Sequence, residues 1–370
     1  MSTLVDPGLL PLDDIRVLEI AQGVVAPFCS MHLAAFGAHV TKVEPPWGDW
    51  LRDIPPVDGR TSALFEAVNR NKRGLRLDLR TTTARRKLKS LISYSDVVLI
   101  DQATTRRWPS LSYKSCRAGN TRLIWAEPLP YSDRESVANQ KASELTIQMA
   151  TGVNRHLGRP VDGAIRSGFD IASLSTSMFL FNGIMAALWE RGVSGLGQRV
   201  TVSMLAAMTA MLEWNLVSEG DPDEWIGVQL ESYTASPALG FILRDRVAYV
   251  EFRGDIAGWK QFLIGVGRPE LAADPRFNQP RAMIPDMTDL KRELASTLLE
   301  WNYDDLYRLV AGLGGTIAPI TPGDEAVAFA ENNGLFADNP GDLIDQISRP
   351  WAFSTGHLRS SRSYEEIDVP

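Results

Sequence analysis

A short basic segment is the first part of the sequence whose composition suggests chemistry. Residues 69–74 read NRNKRG, so Arg70, Lys72 and Arg73 place three cations in four positions. Side chains of this type at this spacing can neutralise the phosphates of a ligand. A short charge run is more often a solvated loop. From this segment alone, both interpretations stay open.

Two further segments lie where a doubly wound sheet binds ligands, which is beyond the carboxyl ends of its strands. The turn at residues 22–27 follows the first predicted strand. It lacks the GxGxxG pattern of a dinucleotide site, so a plain connecting turn is an equal alternative. Arg106, Arg107 and Trp108 follow a later predicted strand that ends at Ile100. Two basic clusters at strand ends make a phosphate-bearing ligand more credible than either cluster alone.

Patterns for a nucleophile with its base, or for a metal site, are not evident in the sequence. His32 falls in an apolar helical segment and His39 in a strand, and we expect both to be structural. Cys29 and Cys116 belong to no CxxC pair, and the four histidines of the chain complete no zinc pattern. We therefore expect no metal, and two reduced thiols in a cytoplasmic protein.

The elements that must position these residues alternate between strand and helix. Residues 15–21 predict a buried strand, residues 28–36 a helix that ends at Gly37, and residues 39–43 a second strand. This order forms a βαβ unit and implies a parallel sheet. Further strands are predicted at 75–79, 96–100, 123–126 and 199–202, and helices at 82–93 and 173–189. The first part of the chain is thus predicted to be a doubly wound α/β domain.

Length and composition indicate a soluble protein of two domains. The chain has 370 residues, a hydrophobic fraction of 44%, a charged fraction of 22% and a net charge of −7. The acidic balance argues against a nucleic-acid binder, which needs a basic footprint. We expect the first residues not to form a signal peptide, and we expect the longest apolar stretch, near 178–189, to be too short to span a bilayer. A polar segment at 218–224 predicts a linker, followed by a smaller domain with a strand at 247–252 and helices at 259–266 and 289–312.

Several segments match, in order, the characteristic motifs of one known family. They are LDDIRVLE at 12–19, AP at 26–27, FGAHVTKVEPP at 36–46, NRNKRGLRLDL at 69–79, GIMAAL at 183–188, GLGQ at 195–198, GRPEL at 267–271 and DPRF at 274–277. With these motifs the chain resembles the family III CoA-transferases. That group includes formyl-CoA transferase, carnitine CoA-transferase and α-methylacyl-CoA racemase.

The resemblance implies an architecture and a ligand. It implies a Rossmann-like large domain made of residues 1–220 and 325–370, and a small α+β domain at 225–315. Two chains of this family interlock like rings, so an interlocked dimer is implied. The family binds acyl-CoA, and coenzyme A is the implied cofactor. The segments that correspond to its CoA contacts are Gly23, Val24 and Val25; Asn71, Lys72 and Arg73; and Asp101, Gln102 and Arg106.

The catalytic aspartate of the family is missing from its expected position. An ungapped alignment places Ser173 there, ten residues before Gly183. The family carboxylate attacks the acyl-CoA thioester to form a mixed anhydride or, in the racemase, exchanges the α-proton. A serine without an activating base does neither well. Asp170, almost one helical turn away, is expected to be the only carboxylate near enough to substitute, and Glu144 replaces the aspartate of the family's PGYD motif.

Three hypotheses about function follow. Two other active-site segments, at 100–105 and 128–132, have also changed, which favours a non-catalytic subunit of a heteromeric CoA-transferase whose paralogous partner keeps the aspartate. The second hypothesis is an active self-dimer that uses Asp170 for CoA transfer or α-proton chemistry. The third is an acyl-CoA-binding scaffold without turnover. CoA transfer in the first two requires acyl-CoA and a carboxylic acid, and none of the three hypotheses involves nucleic acid or a membrane.

Overall fold

The computed structural model describes residues 10–58, 61–132, 140–156, 166–212, 240–252, 255–277, 287–321, 323, 325, 326, 328, 359 and 362–367. The chain divides into two compact units. The first unit comprises residues 1–151, 168–211 and 331–370, and the second comprises residues 152–167 and 212–330. The predicted linker at 218–224 and the predicted start of the small domain at 225 lie outside the described residues.

The described part of the chain contains the following elements. The strands are β1 (Arg16–Ile20), β2 (His39–Glu44), β3 (Val57–Asp58), β4 (Thr61–Ser62), β5 (Arg73–Arg76), β6 (Val97–Ile100), β7 (Ile124–Leu129), β8 (Arg199–Ser203), β9 (Phe241–Ile242), β10 (Val247–Glu251), β11 (Thr316–Pro319) and β12 (Glu365–Glu366). The helices are α1 (Val25–Ala35), α2 (Ala63–Asn69), α3 (Thr82–Ser93), α4 (Gln102–Arg107), α5 (Tyr113–Arg117), α6 (Glu144–Ala150), α7 (Ile171–Ser194), α8 (Met204–Met211), α9 (Ile256–Gly265), α10 (Pro269–Ala273), α11 (Met287–Leu298) and α12 (Tyr303–Gly312).

The first unit is built on a parallel sheet. Seven of the described strands pair in the order β12-β5-β2-β1-β6-β7-β8, and every pairing is parallel. The chain adds β2 and β5 on one side of β1, and then adds β6, β7 and β8 on the other side. The order of the strands therefore reverses between β1 and β6. The crevice at the carboxyl ends of these two strands is where such sheets bind ligands.

Each face of this sheet is covered by its own hydrophobic core, because successive side chains of a strand point to opposite faces. Val97 and Leu99 of β6 join a core that includes α1 and α7, and Val98 and Ile100 join a core that includes α3. All four side chains are fully buried. The continuous apolar run at 96–100 is the pattern of a parallel strand buried on both faces. The predicted α/β fold class is confirmed.

Helix α7 belongs to the first unit and packs one side against the sheet. It has 24 residues and ends at Gly195, which adopts a left-handed conformation with a φ of 75°. Leu180 and Ile184 are fully buried in the sheet core.

By length and composition this helix could cross a membrane, with a mean hydropathy of 1.6 over 18 residues of which 44% are buried. The expectation that no apolar stretch is long enough is therefore wrong, because residues 178–189 are only part of the helix.

The second unit contains a small antiparallel sheet in the order β11-β10-β9, with helices α9 to α12. Its core contains Trp259, whose indole N–H donates to the carbonyl of Phe277 at 3.0 Å. The helical region predicted at 289–312 consists of two helices. Asn302 separates them, because its side chain accepts a hydrogen bond from the N–H of Asp305 and begins α12.

Candidate active site

Glu144, at the start of α6, reaches the first turn of α7. Its Oε1 accepts the backbone N–H of Ala172 at 2.8 Å, and its Oε2 accepts the N–H and the hydroxyl of Ser173 at 2.8 and 2.7 Å. The side chain of Gln148 also donates to Oε1, at 2.8 Å. Asp170 occupies the N-cap position of α7, but its side chain makes no capping hydrogen bond. The carboxylate of Glu144 therefore caps this helix from a different part of the chain.

These contacts limit what the Glu144 carboxylate can do chemically. A carboxylate has about four lone-pair positions, and four donors occupy them here. Two of the donors are backbone N–H groups at the positive end of a helix, which compensates the charge. An attack on a thioester would first have to break one of these hydrogen bonds. The expectation that Asp170 is the only nearby carboxylate is wrong, because the fold brings Glu144 into direct contact with Ser173.

The turn after β1 lies beside this site. Ser177, one helical turn beyond Ser173, donates its hydroxyl to the carbonyl of Val25 at 2.5 Å. Leu174 packs against the hydrophobic cluster that contains Val24. The structure therefore brings together the predicted turn and Ser173, two groups that are about 150 residues apart in the sequence.

Lys72, the central cation of the basic segment, is buried. Its Nζ donates to Oε2 of Glu19 at 2.8 Å, to the carbonyl of Pro27 at 2.8 Å and to Oδ1 of Asn69 at 2.9 Å. Burial lowers the pKa of Lys72 to about 8, against the opposing effect of the Glu19 charge. All three ammonium hydrogens have partners within the protein. The ammonium therefore has no donor left for a phosphate of CoA, in contrast to the prediction from the sequence.

The same buried charges hold the turn after β1. Glu19 also accepts from Lys42 at 2.6 Å, and Lys42 pairs with Asp49 at 2.9 Å. Asp49 in turn accepts the backbone N–H of Gly23 at 3.0 Å. Burial acts to raise the pKa of Glu19, but the two ammonium groups outweigh it and the pKa is lowered. We call Glu19, Lys42, Asp49 and Lys72 the buried charge cluster, and it fixes the position of the turn.

A cavity of about 210 Å³ lies beyond the carboxyl ends of β1, β2, β5 and β6. We call it the carboxyl-edge cavity. The guanidinium of Arg80 lies 5.3 Å from the ring of Trp47, and that of Arg107 lies 5.1 Å from the ring of Trp108. All four residues line the cavity, together with Gln22, which precedes the turn. Cations and aromatic rings suit phosphates and a planar base. Glu44, Asp78 and Asp101 also line the cavity, and Asp78 pairs with Arg80 at 2.8 Å, which leaves Arg107 as its main cation for a phosphate.

The residues predicted to contact CoA divide between two edges of the sheet. Asp101 lines the carboxyl-edge cavity and begins α4, which contains Gln102 and Arg106. Burial raises the pKa of Asp101. In contrast, Asn71 and Arg73 lie at the start of β5, at the opposite, amino edge of the sheet. The structure does not bring these two groups together.

Trp47 and Arg80 were not among the site residues predicted from the sequence. A signal for both was present, because Trp47 follows β2 and Arg80 follows β5, and each strand ends at the ligand-binding edge of the sheet. Arg107 and Trp108 were noticed as part of a basic cluster for the same reason. Position after a parallel strand was thus a better guide to this cavity than the density of charge.

The cysteines and histidines considered as candidate groups show no arrangement for chemistry in the described residues. Within the described parts of the chain, no group of three or more His, Cys, Asp or Glu residues is arranged to hold a metal ion. Cys29 and Cys116 are buried free thiols, and burial raises the pKa of each. Burial, followed by the charges of Arg70 and Lys72, lowers the pKa of His32 to about 4. His32 is therefore neutral near pH 7, whereas His39 is exposed at the amino edge of the sheet.

Comparison with known proteins identifies the family. The sequence profile described as CoA-transferase family III matches residues 12–363. The chain belongs to this family. It is 31% identical over 312 residues to the succinyl-CoA:mesaconate CoA-transferase of Haloarcula hispanica, covering 81% of this chain and 78% of that protein. It is 30% identical over 316 residues to the formyl-CoA:oxalate CoA-transferase of Streptomyces avermitilis, covering 78% and 76% of the two chains.

A solved structure of a CAIB/BAIF family protein from Brucella suis superposes with a TM-score of 0.82, at 25% identity and over 96% of both chains. The family resemblance seen in the sequence motifs is thereby confirmed. Family III CoA-transferase function, with acyl-CoA and carboxylate substrates, is supported. The interlocked dimer and the role of Ser173 stay predictions.

Proposed function

We propose that this chain is a subunit of a family III CoA-transferase that binds acyl-CoA but does not itself carry the acyl group. A paralogous partner chain supplies the aspartate that forms the mixed anhydride. One observation carries the proposal. Glu144, the carboxylate that contacts Ser173, has all four acceptor positions occupied, and the motif alignment predicts that Ser173 takes the position of the family carboxylate.

The proposed path of acyl-CoA follows the carboxyl edge of the sheet. The nucleotide lies in the carboxyl-edge cavity, with its phosphates near Arg80 and Arg107. The pantetheine arm passes Gln22 and continues along the turn toward Ser173. Support comes from the continuity of these parts, because Gln22 lines the cavity and the hydroxyl of Ser177 contacts the end of the turn.

A partner chain is supported by the outer side of α7. Phe179, Trp189 and Val193 lie on one side of this helix and are 40%, 81% and 83% exposed. Large apolar side chains grouped in this way on a protein surface mark interaction sites. We propose that the paralogous chain covers this side of the helix. The two buried free thiols, Cys29 and Cys116, fit a reducing compartment such as the cytoplasm.

Equilibrium binding of CoA to the isolated chain tests the ligand part of the proposal. Replacing Arg107 with alanine removes a charge-assisted contact and is expected to weaken CoA binding about tenfold or more. Arg86→Ala removes the same charge from an exposed position on α3 and is expected to leave the affinity unchanged. An equal effect of the two substitutions, or no binding of CoA to the unmodified chain, would show that the cavity does not hold CoA.

Activity measurements test the subunit part. The isolated chain is expected to transfer no CoA between carboxylic acids, and the chain co-purified with its natural partner is expected to do so. Activity of the isolated chain that disappears in Asp170→Asn or Ser173→Ala would assign catalysis to this chain and contradict the proposal.

A further inference from the structure

A second cavity lies at the amino edge of the sheet in the first unit. It has a volume of about 270 Å³ and lies at the starts of β2, β5 and β12. We call it the amino-edge cavity. His39 and Thr41 of β2, Arg73 of β5, Arg362 and Glu365 contribute to its lining. It lies at the opposite ends of these strands from the carboxyl-edge cavity, so it is a separate space.

The charges around the amino-edge cavity are mainly positive. Arg359 also lines it and is held by Asp13 at 3.1 Å and by the carbonyl of Gly37 at 2.6 Å. Arg73 and Arg362 form no ion pair with any residue that the structure describes. Glu365 is the carboxylate in the lining, and Asp13 pairs with Arg359 from outside it, so the three guanidinium groups outnumber these two carboxylates by one.

The backbone holds one of these arginines in place. Asn71 adopts a left-handed conformation with a φ of 65°, which is uncommon for residues other than glycine. Its backbone N–H donates to the carbonyl of Arg362 at 2.8 Å, and its Oδ1 accepts the N–H of Arg362 at 2.7 Å. The N–H of Glu365 donates to the carbonyl of Lys72 at 3.2 Å. These hydrogen bonds fix the C-terminal segment beside the start of β5, so Arg362 is kept near Arg73 before any ligand arrives.

The donors around the cavity match one class of ligand. Arginine presents N–H groups in a planar fork that fits the oxygens of a phosphate. Thr41 and Ser363, two residues with hydroxyl groups, also belong to the lining, and Glu365 is its one carboxylate among the described residues. We infer that the amino-edge cavity binds the phosphate group of a small molecule, through Arg73 and Arg362, at a site distinct from the one proposed for CoA.

Calorimetric titration of the full chain with pyrophosphate tests this inference. Arg73→Ala and Arg362→Ala are each expected to weaken one binding event by about tenfold or more. Arg86→Ala, on the exposed side of α3, and Arg107→Ala, in the carboxyl-edge cavity, are expected to leave that event unchanged. Because the Arg362 backbone supports β12, the unfolding midpoint of each variant is measured as a control for folding, and Arg73→Ala decides the result if Arg362→Ala is unstable.

Three results would overturn the inference. The first is pyrophosphate binding that is the same in Arg73→Ala as in the unmodified chain, and the second is no binding at millimolar concentration. The third is binding lost only in Arg107→Ala, which would place the pyrophosphate in the carboxyl-edge cavity. None of these results depends on whether this chain carries out CoA transfer.

Discussion

Replacing Lys72 with methionine tests the buried charge cluster, because methionine keeps much of the side-chain volume and removes the ammonium. In the unmodified chain, two ammonium groups balance two carboxylates inside the protein. After the substitution, Glu19 and Asp49 share Lys42 as their single cation. One negative charge is then left without compensation in a fully buried place.

The expected cost follows from the burial. Removing one partner of a buried ion pair destabilises a protein by about 3–5 kcal/mol, because an uncompensated charge is left in the interior. Lys42 still contacts both carboxylates, so we expect the lower end, about 3 kcal/mol. Adding Glu19→Gln to Lys72→Met restores the balance between Lys42 and Asp49. The double variant is therefore expected to lose less unfolding free energy than the sum of the losses in Lys72→Met and Glu19→Gln.

Urea unfolding of the unmodified chain, Lys72→Met, Glu19→Gln, the double variant and one control variant measures these differences. Arg73→Ala is the matched control, since Arg73 is the neighbouring cation but is exposed, and its loss is expected to change the unfolding free energy by less than about 0.5 kcal/mol. If Lys72→Met were no more destabilising than Arg73→Ala, or if the Glu19 and Lys72 losses were additive, the members of the buried charge cluster would not compensate one another's charge.

Three further predictions concern stability. Burial acts to raise the pKa of Glu44, but its hydrogen bonds outweigh burial and hold the pKa at about 2, below the ordinary 4.5. Its stabilising effect is therefore complete above pH 4.5 and is lost as the pH falls toward 2. We expect the unfolding free energy to drop by up to about 3 kcal/mol over this range, and Glu44→Gln to flatten the dependence. Gly23 has a φ of 83°, and a Cβ there would lie 2.5 Å from the ring of Trp50. Thermal unfolding should show that Gly23→Ala lowers the unfolding free energy by about 1–3 kcal/mol. The control Gly168→Ala should change it little, because a Cβ there meets no atom within 4 Å. Equal stabilities of the two variants would refute the close approach of Gly23 to Trp50. Glu144→Ala should lower the unfolding free energy in urea by about 1–2 kcal/mol, because α7 loses its cap. Glu144→Gln should recover part of this loss. If Glu144→Ala were as stable as the unmodified chain, the capping role would be contradicted.

The architecture of the first unit could be predicted because its signals are local. A continuous apolar run such as residues 96–100 identifies a strand buried on both faces, and the alternation of strands and helices identifies a parallel sheet. The ends of individual strands were predicted less accurately. The strand predicted at 75–79 lies at Arg73–Arg76, because pairing with the neighbouring β2 rather than local composition decides where it begins.

The candidate site was only partly predictable, because its contacts join distant parts of the chain. Lys72 appears in the sequence as one member of a charged run, which usually lies on the surface. It is buried because Glu19, 53 residues away, provides the opposite charge. The contact between Glu144 and Ser173 likewise spans 29 residues. The family motif marked both positions, but only the folded chain shows that the glutamate binds the serine.

The most direct test of the central claim is trapping of an acyl-enzyme on the isolated chain. The chain is incubated with acyl-CoA and hydroxylamine, which converts a carboxylate anhydride into a hydroxamate, and is then analysed by mass spectrometry. No hydroxamate is expected on the isolated chain, and one is expected on an aspartate of the paralogous partner when the two chains are co-purified. A hydroxamate on Glu144 or Asp170 of the isolated chain would contradict the account, because it would show that this chain carries the acyl group itself.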